Sequence, residues 1–369
     1  FAAGEGVTLS PQTKSHFIPE EHGLDSRFLA RIDTIAREGI REGAYPGCQV
    51  VVLKDGKEMY NKAFGTYTYT TGNKEAVPVT PASVYDVASL TKTTATLLAV
   101  MKLYDKGRLS LTDRVSDYLP YLQDTERQMC IRDRDSYEGT LFKARPDKLH
   151  PARIGRQTWA NPNFRFRPGL TSKVRTAECT LQVCDSLWLN KSFKKEYLQK
   201  IADAPLRDKR YRYSCVGFIL LQQVVEARAG MPMDEFLAQE FYTPMGLKRT
   251  GYLPLRFLSK EEIVPSSVDP FLRKTVLQGF VHDESAAFQG GVSGNAGLFS
   301  TAEEVAQIYQ MLLNGGELNG KRYLSKETCR LFTTTVAKGC RRGLGFDKPD
   351  MQNPAKSPCA LSAPASVYG

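Results

Sequence analysis

The sequence predicts an α+β fold, an antiparallel sheet flanked by helices rather than a doubly wound parallel sheet. Two observations carry this. An amphipathic helical stretch over residues 25–43 runs straight into two strands joined by Asp55-Gly56, the turn chemistry of an antiparallel hairpin. Beyond them, the apolar stretches after Lys92, over 211–229 and over 301–314 have the spacing and length of helices, enough to cover a sheet and to build a mostly helical subdomain.

In chain order, residues 1–21 are polar with scattered glycine and proline and read as a linker or N-terminal arm, and residues 22–369 as one domain. Phe28, Ile32, Ile35, Ala36 and Ile40 recur at helical spacing, with Asp25 as cap and Gly43 and Pro46 as the stop. Gln49 to Leu53 and Lys57 to Gly65 form the hairpin. Val84 to Ala88 is a turn or short connector, and Thr93 to Leu103 is apolar enough for a helix buried through the middle of a domain. Gly107 to Asp113 turns the chain into a short element at Val115 to Leu119, ended by Pro120. From Leu122 the periodicity fails. The segment 122–175 is irregular and basic, and a stretch of that length without structure is uncommon inside a compact domain. Thr180 to Leu189 reads as helix. Tyr211 to Ala229 is a strong helix, with Val216, Ile219, Leu220, Val224 and Val225 on or near one face, and a shorter one follows from Asp234 to Phe241. Gly251 to His282 is proline-punctuated loop with short strands. Thr301 caps a helix reaching Asn314, with Glu304 completing a capping box, and a last short helix spans Ser325 to Phe332.

The 369 residues, 41% hydrophobic and 24% charged, are ordinary for a globular protein. No apolar run is long enough for a transmembrane segment, no signal segment opens the chain, and the first residue is Phe1 rather than Met, which leaves room for a leader or an upstream domain. The net charge of +10 is concentrated: between Arg127 and Arg175 there are twelve Lys or Arg against four Asp or Glu. Phe164-Arg165-Phe166-Arg167 alternates aromatics with arginines as some single-strand binders do. No recognition helix, zinc-finger spacing or RNP-type aromatic run accompanies it, so nucleic acid is not the expected partner. The eight cysteines include no C-x-x-C pair, and histidines do not cluster. Neither a structural zinc nor another cofactor is expected, and buried free thiols are the default.

The chemistry concentrates in Ser89-Leu90-Thr91-Lys92. A hydroxyl is a poor nucleophile until a neighbouring base takes its proton. An offset of three on a helix puts two side chains on one face, about 5 to 6 Å apart at Cβ. Ser-x-x-Lys is a known catalytic spacing, although the bare pattern also recurs by chance, and the plainer alternative is a solvated helix start with Ser89 as cap. A lysine entering an apolar helix is costly to desolvate without partners, and burial lowers its pKa toward that of a useful base.

With two further segments the chain resembles the large family of serine β-lactamase-related proteins: class C β-lactamases, DD-peptidases and related serine esterases. Tyr213-Ser214-Cys215-Val216-Gly217 matches the family's Tyr-x-Asn motif in place and helical context, with Cys215 where the family has Asn or Asp. Gly290-Gly291-Val292-Ser293-Gly294-Asn295-Ala296-Gly297 resembles its glycine-rich lead into a late helix. The agreement runs in the family's order from about Asp25 to Asp347.

The resemblance implies a β-lactamase/transpeptidase-like fold and a serine hydrolase of esterase, DD-peptidase or β-lactamase type, acting through an acyl-serine intermediate. Ser89 would attack an ester or amide carbonyl, Lys92 and Tyr213 would share the proton transfers, and the Ser89 N–H would form part of the oxyanion hole. Cys215, His282 and Asn295 are expected to contact or orient the substrate: a small ester, a β-lactam or a peptidoglycan peptide. A periplasmic or secreted bacterial location is implied as well. Some relatives of this kind follow a glycosidase domain of the cell-wall type, and the non-Met start fits that.

Several expectations depart from the family. A thiol donates and accepts hydrogen bonds weakly where an amide does both strongly, so Cys215 would orient Lys92 or a substrate amide poorly. Cys215 as nucleophile would need a histidine, and His282 is the only late one. A non-catalytic cell-wall or peptide binding module that retains the fold is the rival from another class. The family's third motif, Lys-Thr-Gly or His-x-Gly, is expected immediately after Pro364-Ala365-Ser366-Val367-Tyr368-Gly369, so the chain would stop just before it. Gln128 to Ser136 stands where the family normally continues toward a Leu-Leu-x-His-x-Ser-Gly-Leu segment. It resembles adapter read-through in translated sequence assemblies, so native sequence is expected to have been replaced or deleted there.

Overall fold

A computed structural model of the chain describes residues 17–69, 76–123, 153–154, 157–158, 166–204, 215–270, 272–335, 341–353, 355, 357–360 and 362–369. Tyr213, the string 128–136 and most of the basic segment lie outside the described residues. The chain divides into two compact units, Phe1–Pro81 and Ala82–Gly369.

The first unit is a helix on a hairpin. Asp25 caps α1 (Ser26–Arg41), its side chain accepting from the Arg27 N–H at 2.8 Å. The core-facing stripe is buried Ala36 with partly buried Leu29, Ile32 and Ile40, set against Tyr60 and Phe64 with Cys48, Val50 and Val52. Phe28 and Ile35, which the sequence places in the apolar set, are 65% and 63% exposed. The spacing of Leu29 to Ile32, Ala36 and Ile40 follows the helix period better than that of Phe28 or Ile35, and the stripe turns accordingly. Strands β1 (Gly47–Lys54) and β2 (Lys57–Gly65) pair antiparallel. Asp55 and Gly56 both take positive φ, 51° and 75°, as a two-residue hairpin turn requires.

The second unit holds a helical core beside small antiparallel sheets. β3 (Tyr85–Asp86) leads through a 3-10 turn (Ala88–Leu90) and a π-helical turn (Lys92–Thr96) into α2 (Leu97–Asp105). Leu97, Leu98, Ala99, Val100, Met101 and Leu103 are all buried, so this helix is enclosed on every side, as its apolar run predicts. Next come α3 (Val115–Tyr118), the paired β4 (Arg153–Ile154) and β5 (Gln157–Thr158), and the sheet of β6 (Thr171–Ser172), β7 (Cys179–Cys184) and β8 (Leu187–Asn190), with β8 central.

Helix α4 (Ser192–Asp203) precedes α5 (Val216–Ala229) and α6 (Met233–Leu237), and both α5 and α6 pack on α2. Then follow β9 (Gly251–Tyr252), the hairpin β10 (Ser267–Asp269) and β11 (Thr275–Leu277), α7 (Glu284–Ala287), β12 (Leu298–Ser300), α8 (Ala302–Leu313), the hairpin β13 (Glu317–Leu318) and β14 (Lys321–Arg322), and α9 (Lys326–Thr333). β12 lies between β3 and β9, antiparallel to both. The architecture is therefore mixed, with antiparallel sheets flanked by helices, as in β-lactamase and transpeptidase folds.

Two local expectations are corrected. Residues 180–189 form the β7–β8 hairpin and not a helix. Leu181 and Val183 on one strand and Leu187 and Leu189 on the other meet a satellite core with Leu170 and Val281, a period of two broken by Asp185-Ser186. The capping box of α8 is half made: Thr301 accepts from the Glu304 N–H at 3.2 Å, but the Glu304 carboxylate turns to the Lys248 and Arg249 N–H groups and the Thr250 hydroxyl. Cys179 and Cys184, at the two ends of β7, are both buried free thiols.

Candidate active site

The approach to Ser89 is a constrained turn. β3 hands the chain to Val87, whose N–H donates to Leu298 O of β12 at 3.0 Å. Ala88 then takes φ 47°, a left-handed conformation that costs a non-glycine residue energy and persists only where neighbours hold it. One holder is Asp86. Its Oδ1 accepts from the Ala88 N–H at 2.9 Å, an Asx-type turn, and its Oδ2 accepts from the His282 N–H at 2.8 Å. Burial raises the Asp86 pKa above the ordinary carboxylate value, with the two N–H donors and the charge of His282 acting against it.

Ser89 is exposed in the 3-10 turn, and the helix that follows opens by one residue. In the π turn the Leu97 N–H reaches back to Lys92 O. Side chains hold that opening: Thr93 and Thr94 hydroxyls donate to Leu90 O at 3.2 and 2.6 Å, and Tyr242 OH donates to Thr94 O at 3.0 Å. Single π turns inside helices are frequent at functional sites.

Lys92 is 4% exposed, and among the described residues three contacts fix its Nζ. It lies 2.8 Å from Ser89 Oγ, 3.0 Å from the backbone carbonyl oxygen of Asn295, and 5.9 Å from the centroid of the Phe218 ring on α5. Of these contacts, one is to a candidate nucleophile and two orient the buried amine.

The glycine-rich segment supplies the carbonyl. Thr96 Oγ1 donates to Gly294 O at 2.8 Å, Gln222 Oε1 accepts from the Gly294 N–H at 3.2 Å, and Tyr252 OH donates to Ser293 O at 3.1 Å. Gly294 approaches α5 so closely that a Cβ there would stand 2.0 Å from Phe218 O, which is why this position lacks a side chain. The Asn295 side chain points elsewhere, into a buried network: its amide donates to Asp283 Oδ1 at 3.0 Å and Ser285 Oγ at 3.1 Å, and its Oδ1 accepts from Ser293 Oγ at 2.7 Å. Arg273, in a buried ion pair with Asp269 at 2.6 Å, donates to Val281 O and His282 O and so fixes the loop leading to this network.

The structure thus brings together three of the residues singled out from sequence, Ser89, Lys92 and Asn295, the last through its main chain. His282 joins through its backbone N–H, with its ring exposed. Cys215 immediately precedes α5 and makes no side-chain cap bond. Asp86 was missed; its signal was an Asp two residues before a turn position. Phe218 and Gln222 were missed because they are unremarked members of an apolar helix. Among the described residues no group of three or more His, Cys, Asp or Glu could hold a metal ion, and no helix is long and apolar enough to cross a membrane.

Residues 32–356 match the family described as Beta-lactamase. The chain belongs to that family. A protein of Escherichia coli K12 named "Putative D-alanyl-D-alanine carboxypeptidase" is 29% identical over 346 residues, covering 89% of this chain and 74% of the relative. The N-acetylmuramyl-L-alanine amidase of Bacillus subtilis strain 168 is 30% identical over 363 residues, covering 94% and 76%. Among solved structures, EstCE1, a hydrolase with promiscuous acyltransferase activity, superposes with a TM-score of 0.60 at 21% identity over 89% of this chain and 85% of its own. At that identity the likeness is one of fold. Within the Beta-lactamase family the lineage is that of serine hydrolases, and the Ser89–Lys92 pair stands at the start of its buried helix.

Proposed function

We propose that this member of the family hydrolyses an ester or amide through an acyl-Ser89 intermediate. The observation that carries the reading is the 2.8 Å contact between Lys92 Nζ and Ser89 Oγ, with Lys92 anchored on its far side by Asn295 O. In its amine form Lys92 accepts the hydroxyl proton as Ser89 Oγ bonds to the carbonyl carbon. The carbonyl electron pair moves to oxygen, where the Ser89 N–H stabilises it. On collapse the bond to the leaving group breaks and that group takes a proton back from Lys92, with Tyr213 sharing the transfer. Water then attacks the acyl carbon by the same route in reverse and frees Ser89.

The names of the two relatives support peptidoglycan peptides as the substrate class, and a periplasmic or secreted site of action is proposed as the place where such a substrate is met. A β-lactam or small ester would be attacked by the same groups, since pocket shape decides among them. A second reading, a fold-retaining binding module for cell-wall peptides, is favoured by Cys215 in place of the family's Asn. Incubation with a fluorescent β-lactam or a fluorophosphonate, followed by peptide mass mapping, decides between them. An adduct on Ser89 that disappears in Ser89→Ala supports the enzyme, and no adduct with either probe supports the binding module.

A further inference from the structure

We infer that Asp86 is a positioning residue for acyl transfer: its carboxylate fixes the Ser89 turn and ties it to the loop that orients Lys92. The inference rests on the reading of Ser89 as nucleophile. Three observations lead to it. Asp86 is three residues before Ser89, and its Oδ1 holds the N–H of Ala88, the one residue of the turn at positive φ. Its Oδ2 holds the N–H of His282, next to Asp283. From Asp283 Oδ1 the chain of hydrogen bonds runs to the Asn295 side chain, and the Asn295 carbonyl accepts from Lys92 Nζ. One carboxylate therefore bridges the segment that carries the nucleophile and the segment that holds its base.

The chemistry requires such a bridge. The Ser89 N–H follows directly from Ala88, so the direction in which it points at a developing oxyanion is set by the φ and ψ of the turn. Without the Asx bond, Ala88 is free to return to negative φ, the conformation a residue with a Cβ prefers, and the Ser89 main chain would rotate with it. Asn is a poor replacement. Its amide carries one acceptor and one donor group, while both partners here are N–H donors, so one side of the bridge becomes a donor facing a donor. Ser, with one short acceptor, can hold at most the Ala88 side.

The test compares wild type with Asp86→Asn and Asp86→Ser, using a fluorophosphonate for the acylation rate and p-nitrophenyl butyrate for kcat and KM. Every rate is taken per titrated Ser89 site, so loss of folded protein lowers the titre and not the rate. Misplacement of a reacting group or oxyanion donor predicts a fall of about ten- to a hundredfold in kcat and in acylation rate, with KM within about twofold. A purely structural role would lower the titre or the Tm and leave kcat per site at the wild-type value, and that result overturns the inference. Should neither variant fold, wild type answers by amide hydrogen exchange. The Ala88 N–H, on an exposed residue, exchanges slowly if Asp86 holds it, and exchange at the open-chain rate overturns the inference. Absence of a Ser89 adduct in wild type would instead sink the proposed function.

Discussion

Ser89 Oγ and Lys92 Nζ stand 2.8 Å apart across a helix that opens into a π turn at Lys92 itself. In a regular α-helix, residues three apart share a face without being obliged to touch. Here the lysine is held from behind by Asn295 O, so its reach toward the serine is fixed by a loop about two hundred residues later in the chain rather than by local helix geometry.

That arrangement predicts how Lys92 responds to substitution. Lys92→Ala removes the proton acceptor, and Lys92→Arg keeps the charge but puts there a guanidinium that does not give up its proton. Both should acylate about a hundredfold or more slowly than wild type with a fluorophosphonate in stopped time points. Retention of the wild-type rate by Lys92→Arg would mean that charge alone is what the site needs.

Cys215→Asn places an amide where the resemblance to the Tyr-x-Asn motif expects one. One added hydrogen bond of ordinary strength toward Lys92 or substrate should raise kcat/KM for a p-nitrophenyl ester by about three- to tenfold. A lower value in Cys215→Asn would show that the thiol is already matched to this site.

Gly294→Ala tests the close approach of the glycine-rich segment to α5. The added Cβ meets backbone oxygen Phe218 O at 2.0 Å, and backbone cannot rotate out of the way as a side-chain tip can. Urea unfolding should show a loss of about 1 to 3 kcal/mol, typical of overpacking. Acylation should slow as well, because the same segment carries the Asn295 carbonyl. An unchanged midpoint would mean that the segment is not clamped to α5.

Asp33 on α1 offers a pH test in the first unit. The Tyr60 hydroxyl at 2.7 Å, and then Lys62 Nζ at 2.9 and 3.0 Å, hold its pKa below the ordinary carboxylate value. A carboxylate whose folded-state pKa is depressed stabilises the fold fully above its unfolded pKa, and that contribution is lost as pH falls through the folded value. The window therefore lies below about pH 4. Wild type should exceed Asp33→Asn in Tm near neutral pH, and the gap should close as the pH is taken down through that window. A gap that stays constant on acidification would contradict the assignment.

What the sequence made legible follows from where local signals were strong. Asp25, Asp55-Gly56 and Thr301 are caps and turns whose chemistry is decided within a few residues, and each sits where its side chain or φ requires. The enclosed α2 was visible because six of its nine residues are apolar and buried on every side. The β7–β8 hairpin was hidden because its turn, Asp185-Ser186, has no glycine, proline or asparagine to mark it. Leu181, Cys184 and Trp188 also fall at helical spacing when the segment is read as one run. Glu304 was read as a local cap, yet its carboxylate serves Lys248, Arg249 and Thr250, more than fifty residues earlier. At the site, the Ser-x-x-Lys spacing and Asn295 were legible, whereas the main-chain route by which Asn295 holds Lys92, the Phe218 ring and Asp86 were not. Asn295 acts through its main chain and Asp86 through amides, and main-chain contacts leave little trace in side-chain identity.

The most direct test is the chemical identity of the residue that a β-lactam or fluorophosphonate modifies. Peptide mass mapping of the labelled wild-type protein should place a single adduct on the peptide carrying Ser89, with labelling abolished in Ser89→Ala and slowed in Lys92→Arg. An adduct on Cys215, or labelling that persists in Ser89→Ala, would contradict the account.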